Sequence, residues 1–148
     1  MGSVTYGSIC EGIAEALRSA KIGKSVQSYK DLTESIPENK TLHVYFNDAD
    51  TTSGSGTDRK TFQASNRTTM ISAVIDGYAR KRSNLKDDLV AQMELIDEID
   101  GWLCEQKTGT LLGVSSIRSF HWRWERVTLP FNKDDWAGCR FSIEIWIY

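Results

Sequence analysis

Residues 47 to 66 read NDADTTSGSGTDRKTFQASN and hold most of the side chains that look like parts of a catalytic or ion-binding loop. Asp48 and Asp50 offer two carboxylates to a cation, the SGSG run can wrap a phosphate, and Arg59 and Lys60 bring cationic heads. Each reading fails on spacing. A phosphate-cradling GxxxxGK[ST] loop begun at Gly54 needs a second glycine where the chain has Arg59, and the Gly23-Lys24-Ser25 alternative needs one where it has Arg18. An EF-hand loop begun at Asp48 needs glycine sixth and glutamate twelfth, and those positions are Ser53 and Arg59. A looser acidic ion site at Asp48 and Asp50 remains, against the plainer reading of a solvated hairpin tip.

The rest of the chain supplies little for chemistry. His43 and His121 are the only histidines, and Cys10, Cys104 and Cys139 are far apart, so no metal-ligand spacing appears. No nucleophile and base can be assembled locally. The expectation is a non-enzyme with no cofactor and no metal. FHWRWERV places Phe120, Trp122 and Trp124 on one strand face and His121, Arg123 and Glu125 on the other. Aromatics between arginines can stack bases, but the same trio reads better as core, and a formal charge of −2 with a pI near 5.7 gives no bulk attraction to nucleic acid. Arg80-Lys81-Arg82 reads as a solvated strand end. Five tryptophans are many for 148 residues, and Trp136, Trp146 and Tyr148 gather near the end of the chain. Exposed Trp and Tyr are typical of protein interfaces, so these three are expected at contacts.

Elements must position these groups. SICEGIAEALRSA (8 to 20) puts Ile9, Ile13 and Leu17 on one helical stripe, with Ser8 as N-cap, Glu11 completing a capping box and Gly23 as the stop. Residues 24 to 40 are polar and irregular. TLHVYFN (41 to 47) reads as a strand with Leu42, Val44 and Phe46 on one face, and 67 to 82 as a second, with Ile71, Ala73 and Ile75 opposed to Met70, Val74 and Tyr78. The spacing predicts a helix over 83 to 106, capped by Ser83 or Asn84, with Leu85, Leu89, Met93, Ile96 and Leu103 buried and Ile99 and Trp102 widening the stripe. Two long strands at about 114 to 129 and 137 to 148 follow, paired antiparallel through PFNKDDW, with Phe141, Ile143, Ile145 and Ile147 facing the core.

The order α-β-β-α-β-β predicts one α+β domain over 1 to 148: a mostly antiparallel four-stranded sheet with two helices on one face. No stretch is apolar enough to span a membrane and no basic n-region opens the chain, so a reduced compartment is expected. The polar 47 to 66 stretch reads as a long hairpin arm that orders on contact. The sheet face away from the helices would carry Trp146 and Tyr148 against a neighbour.

As an ordered set, these features resemble the tail terminator (tail completion) proteins of long-tailed bacteriophages. The resemblance covers nearly the whole chain: the short helix ICEGIAEALRSA, the strand LHVYF entering a polar hairpin, the return strand TTMISAVIDGYARK, the helix SNLKDDLVAQMELIDEIDGWL, and a closing hairpin ending in WAGCRFSIEI. It implies a structural virion protein, a hexameric ring capping the tail tube at its head-proximal end, assembled in the host cytoplasm. The implied partners are further copies of itself, the tail-tube protein and a neck or head-completion protein, with DNA passing through the lumen unbound and no membrane. Arg59, Lys60 and Arg67 of the arm, with Trp136, Trp146 and Tyr148, would make the subunit or tube contacts. Another neck connector, or a non-viral dimeric binding module, are the competing readings.

Overall fold

The computed structural model describes residues 5–53, 67–106 and 110–147. The elements are α1 (Tyr6–Ser19), β1 (Ser25–Ser28), β2 (Thr41–Ser53), β3 (Arg67–Lys81), α2 (Leu85–Cys104), β4 (Ile117–Phe131) and β5 (Asp134–Ile147). They build an α+β fold on a mixed five-stranded sheet of order β1-β2-β3-β5-β4.

The expected four-stranded antiparallel sheet is corrected by β1, which falls in a segment read as irregular. Ser25–Ser28 runs parallel to Thr41–Val44. Four residues are too few for a period-2 signal, and the strand forms because the chain leaving α1 is pressed onto β2. Lys24 N–H donates to the Lys40 carbonyl at 2.9 Å. Gly23 sits at φ +70°, where a Cβ would lie 2.8 Å from that same carbonyl oxygen, so only glycine allows this approach.

Helix α1 starts one turn earlier than its stripe implies. Thr5, not Ser8, is the N-cap, and Ser8 takes the N3 place in a reciprocal capping box expected of Glu11. The helix ends at Ala20, with Lys21 left-handed at φ 60° and Ile22 N–H returning to the Leu17 carbonyl at 3.1 Å. Gly23 therefore serves the turn into β1 rather than the helix stop.

Strand alternation holds as expected. Ile71, Ala73 and Ile75 of β3 and Phe141, Ile143, Ile145 and Ile147 of β5 are buried beneath the helices. Ile9, Ile13 and Leu17 of α1 and Leu95, Ile96 and Ile99 of α2 close that core from the same side. Strand β2 runs to Ser53, beyond the expected end at residue 47, and Thr51–Ser53 pairs with Arg67–Thr69. The connection from β4 to β5 is tighter than PFNKDDW implies: Phe131 pairs with Asp134, leaving Asn132 and Lys133 as the turn, with Asn132 at φ 58°.

Helix α2 is rolled about its axis relative to the predicted stripe. Leu85 is 71% exposed and Met93 39%, while Asp88 and Gln92 are buried. Two fixed polar contacts drive the roll. The Asp88 carboxylate accepts from Ser83 N–H and pairs with Arg80 at 3.4 Å. The Gln92 amide donates to the carbonyls of Gly138 at 2.9 Å and Val127 at 3.2 Å. Both groups are satisfied in the interior, so burying them is tolerated, and Leu85 and Met93 are left exposed, Leu85 beside Arg126 and Val127 of β4.

Candidate functional site

The sheet face away from the helices carries the ionisable side chains, and register sorts them into rows. His43, Asp76, Arg140 and Glu125 form one row across β2, β3, β5 and β4. Next to it run Tyr45, Val74, Ser142 and Arg123, and then Asp48, Ser72, Glu144 and His121.

At the centre, Asp76 is nearly buried and receives three hydrogen bonds. Arg140 donates from Nε at 2.8 Å and Nη2 at 3.2 Å, and the Tyr45 hydroxyl donates at 2.7 Å. This bidentate pair is the strong form of an ion pair. It holds Arg140 more firmly protonated than an ordinary arginine, chiefly through the hydrogen bond to Asp76. Burial, then the bond to Asp76, raises the Tyr45 phenol, and burial with the Asp76 charge pushes Tyr78 up to about 12. Tyr45 and Arg140 both hold their protons more firmly than usual, and the network is a clamp on β2, β3 and β5.

One end of this face is closed by the segment after β1. Tyr78, Leu129 and Trp136 form a small second core with Ile36, Val127 and Phe131 at its margin. The ring of His43 lies 4.8 Å from Tyr78 and 5.8 Å from Phe131, and its Nε2 is buried without a partner. Burial lowers the His43 pKa, with the Asp76 charge opposing. A histidine whose folded pKa is depressed contributes stability that is complete above its unfolded value near 6.5 and is lost as pH falls below it. Urea midpoints of the native chain should therefore fall between pH 7 and pH 5 by more than those of His43→Phe, which keeps the aromatic packing. Parallel curves would show that His43 plays no part.

The other end stays open. A depression of about 450 Å³ is lined by Asp48, Ser72, His121, Arg123, Ser142 and Glu144, with His121 against Glu144. Its histidine and carboxylate are well exposed, and among the described residues neither Ser72 nor Ser142 hydrogen-bonds to His121. Among the described residues no cluster of three His, Cys, Asp or Glu can hold a metal ion, and Asp48 and Asp50 have no third ligand. No helix among them is long and apolar enough to cross a membrane. Arg80 and Arg82 share Asp88, and Lys81 lies near Asp134 at 3.3 Å, so each cation of the basic run has a carboxylate beside it.

The open margins of the sheet are the most distinctive surfaces. Among the described residues, β4 is an edge strand of 15 residues with nothing paired to its outer side. At the opposite margin β1 covers β2 only as far as Val44, leaving Tyr45 onward as a second edge. Of the aromatic trio on β4, Phe120 and Trp122 stack at 5.4 Å and Trp122 Nε1 donates to Asp100 at 2.8 Å, while Trp124 remains 42% exposed. Searches against protein-family models and against curated proteins found no match for the chain.

The expected contact residues fare unequally. Trp146 lies half-buried on the polar face, its ring 5.4 Å from His121. Trp136 is corrected: at 5% exposure its indole fills the second core and is not available to a neighbour. Arg67 begins β3. Arg59, Lys60 and Tyr148, with most of the expected arm, lie outside the described residues. Sequence reasoning missed Asp76, Arg140 and Gln92. An aspartate within the otherwise apolar run AVIDGYA (73 to 79) was the available signal for the first.

Proposed function

We propose that this chain is a structural virion protein of the tail-terminator kind. It forms a hexameric ring on the last ring of the tail tube, ends tube polymerisation and presents the surface that joins the head. Its partners are its own copies, the tail-tube protein and a neck protein. DNA crosses the lumen without specific binding, and no catalysis is involved. The observation that carries this reading is the pair of unlike open margins: a long edge strand on one side of the subunit and a different edge on the other. A closed ring of identical subunits requires two different patches on each copy. The ordered likeness to the terminator family supplies the tail.

The test is to mix the purified chain with tail tubes assembled without a terminator and image them by negative stain. Caps on one end of each tube, with tube length arrested, are expected. A chain that ignores tubes but cofractionates with heads is a neck connector, and a fixed dimer indifferent to both is a binding module. Either outcome overturns the terminator reading.

A further inference from the structure

We infer that copies of this chain join edge to edge, β4 of one pairing antiparallel with β2 of the next from Tyr45 onward, so that the sheets run on as one. This rests on the ring reading and specifies its contact.

Three observations converge. The first is the backbone. Among the described residues β4 is a 15-residue strand uncovered on its outer side, and such a strand presents a row of free N–H and C=O groups, which natural sheets ordinarily block. β4 has a bulge beside Ile117 and Pro130 near its far end, but from Ser119 to Leu129 its pairing is regular. Within the subunit β2 runs opposite to β4, because β3, β5 and β4 each pair antiparallel in turn. Rotation about an axis along the strands preserves direction, so β4 meets the β2 of the next copy antiparallel.

The second is side-chain matching on both faces. On the helix side, Trp122 and Trp124 of β4 would lie beside Phe46 and Ala49 of β2, apolar against apolar. On the polar side, Arg123 would face Asp48, and all three of Arg123, Asp48 and Asp50 are exposed and make no ion pair among the described residues. Asp48 stands level with His121, one pair step from Arg123. Diagonal neighbours on one face lie about 7–8 Å apart, within reach of an arginine.

The third is where apolar surface remains exposed. Trp124 of β4 and Leu85, beside Arg126 and Val127 of β4, are exposed at one margin, while Tyr6 and Tyr29 are exposed beside Tyr45 and Phe46 of β2 at the other. Tyr6 and Tyr29 line a cleft with Phe46 there. Seating β4 on β2 brings these two sets together, and both then leave water. A two-fold contact through β4 would pair that set only with itself and leave Arg123 without Asp48.

The test uses reciprocal charge reversal. Arg123→Glu alone faces Asp48 with a like charge at every joint, and Asp48→Lys alone does the same with Arg123. An equimolar mixture restores attraction at every joint of an alternating ring. Sedimentation velocity and negative stain of the concentrated native chain should show closed rings. Each variant should assemble about a hundredfold or more weakly, and the mixture should recover. If either substitution disturbs the fold by circular dichroism, the neutral pair Arg123→Gln and Asp48→Asn takes its place, and each should weaken assembly. Rings indifferent to both reversals overturn this contact and leave the ring reading standing. A dimer sensitive to residue 123 and silent at 48 overturns both. A native chain monomeric at every concentration overturns the edge contact, and tube capping then decides the ring reading separately.

Discussion

Gly138→Ala is expected to destabilise the chain by about 3 kcal/mol, at the upper end of overpacking costs. An added Cβ would sit 2.3 Å from the Gly77 carbonyl oxygen and 2.7 Å from Leu129 Cδ1. The first is a backbone atom in the adjacent strand and cannot swing away. The Gly138 carbonyl also accepts the Gln92 amide at 2.9 Å, so displacing β5 breaks the contact that seats α2. With a urea slope of about 2 kcal/mol per molar, the midpoint should drop by roughly 1.5 M. Gly101→Ala is the control: nothing lies within 4 Å of its Cβ site, and it sits inside α2. That substitution should stabilise by about 0.5–1 kcal/mol. An unchanged midpoint for Gly138→Ala would mean that β3 and β5 can separate here without cost, and that α2 is not held by this close approach.

The elements buried by simple alternation were legible from sequence. β3 and β5 alternate over most of their length, and their core faces are as read. Legibility failed where a polar side chain is bonded inside. Asp88 and Gln92 look like solvent-facing residues, and a stripe drawn through leucines and methionine therefore points α2 about a quarter turn away from its packed face. The outer half of β2, DADTTS, failed for the opposite reason: past Phe46 it lies beyond the helices, so no apolar alternation marks it as a strand. Trp136 was misplaced because a turn-proximal tryptophan reads as exposed, whereas the segment bearing Ile36 folds back over it.

The candidate site was harder to read than the fold, because it is a property of topology. No local feature of FHWRWERV says that β4 is an edge. That follows only once β5, the last strand in sequence, inserts between β3 and β4. The arginines and tryptophans of β4 then change meaning together, from a candidate nucleic-acid platform to the margin of a sheet. Asp48 and Asp50 change likewise, from fragments of an ion-binding loop to the outer edge of β2.

Arg140→Leu should cost more than Asp76→Asn, although each removes one member of the same pair. The asymmetry comes from burial. The Asp76 side chain is 5% exposed and that of Arg140 39%. When Asp76 becomes asparagine, the guanidinium can turn toward water and the Tyr45 hydroxyl keeps an acceptor, so a loss of about 1–2 kcal/mol is expected. When Arg140 becomes leucine, the carboxylate stays in the sheet with only Tyr45 to bond it, and a stranded buried charge costs about 3 kcal/mol or more. The double variant should then be no less stable than Arg140→Leu alone, because a neutral amide in place of the Asp76 carboxylate relieves the charge that the leucine strands. Urea unfolding of the four chains closes the cycle. Equal single losses that simply add would show that Asp76 is as well solvated as Arg140, and the three-strand clamp would have to be reassigned to the apolar rows beside it. With the expected asymmetry, the polar face is fixed at its centre by one neutralised pair, leaving the exposed charges of β2 and β4 as the ones available to a neighbour.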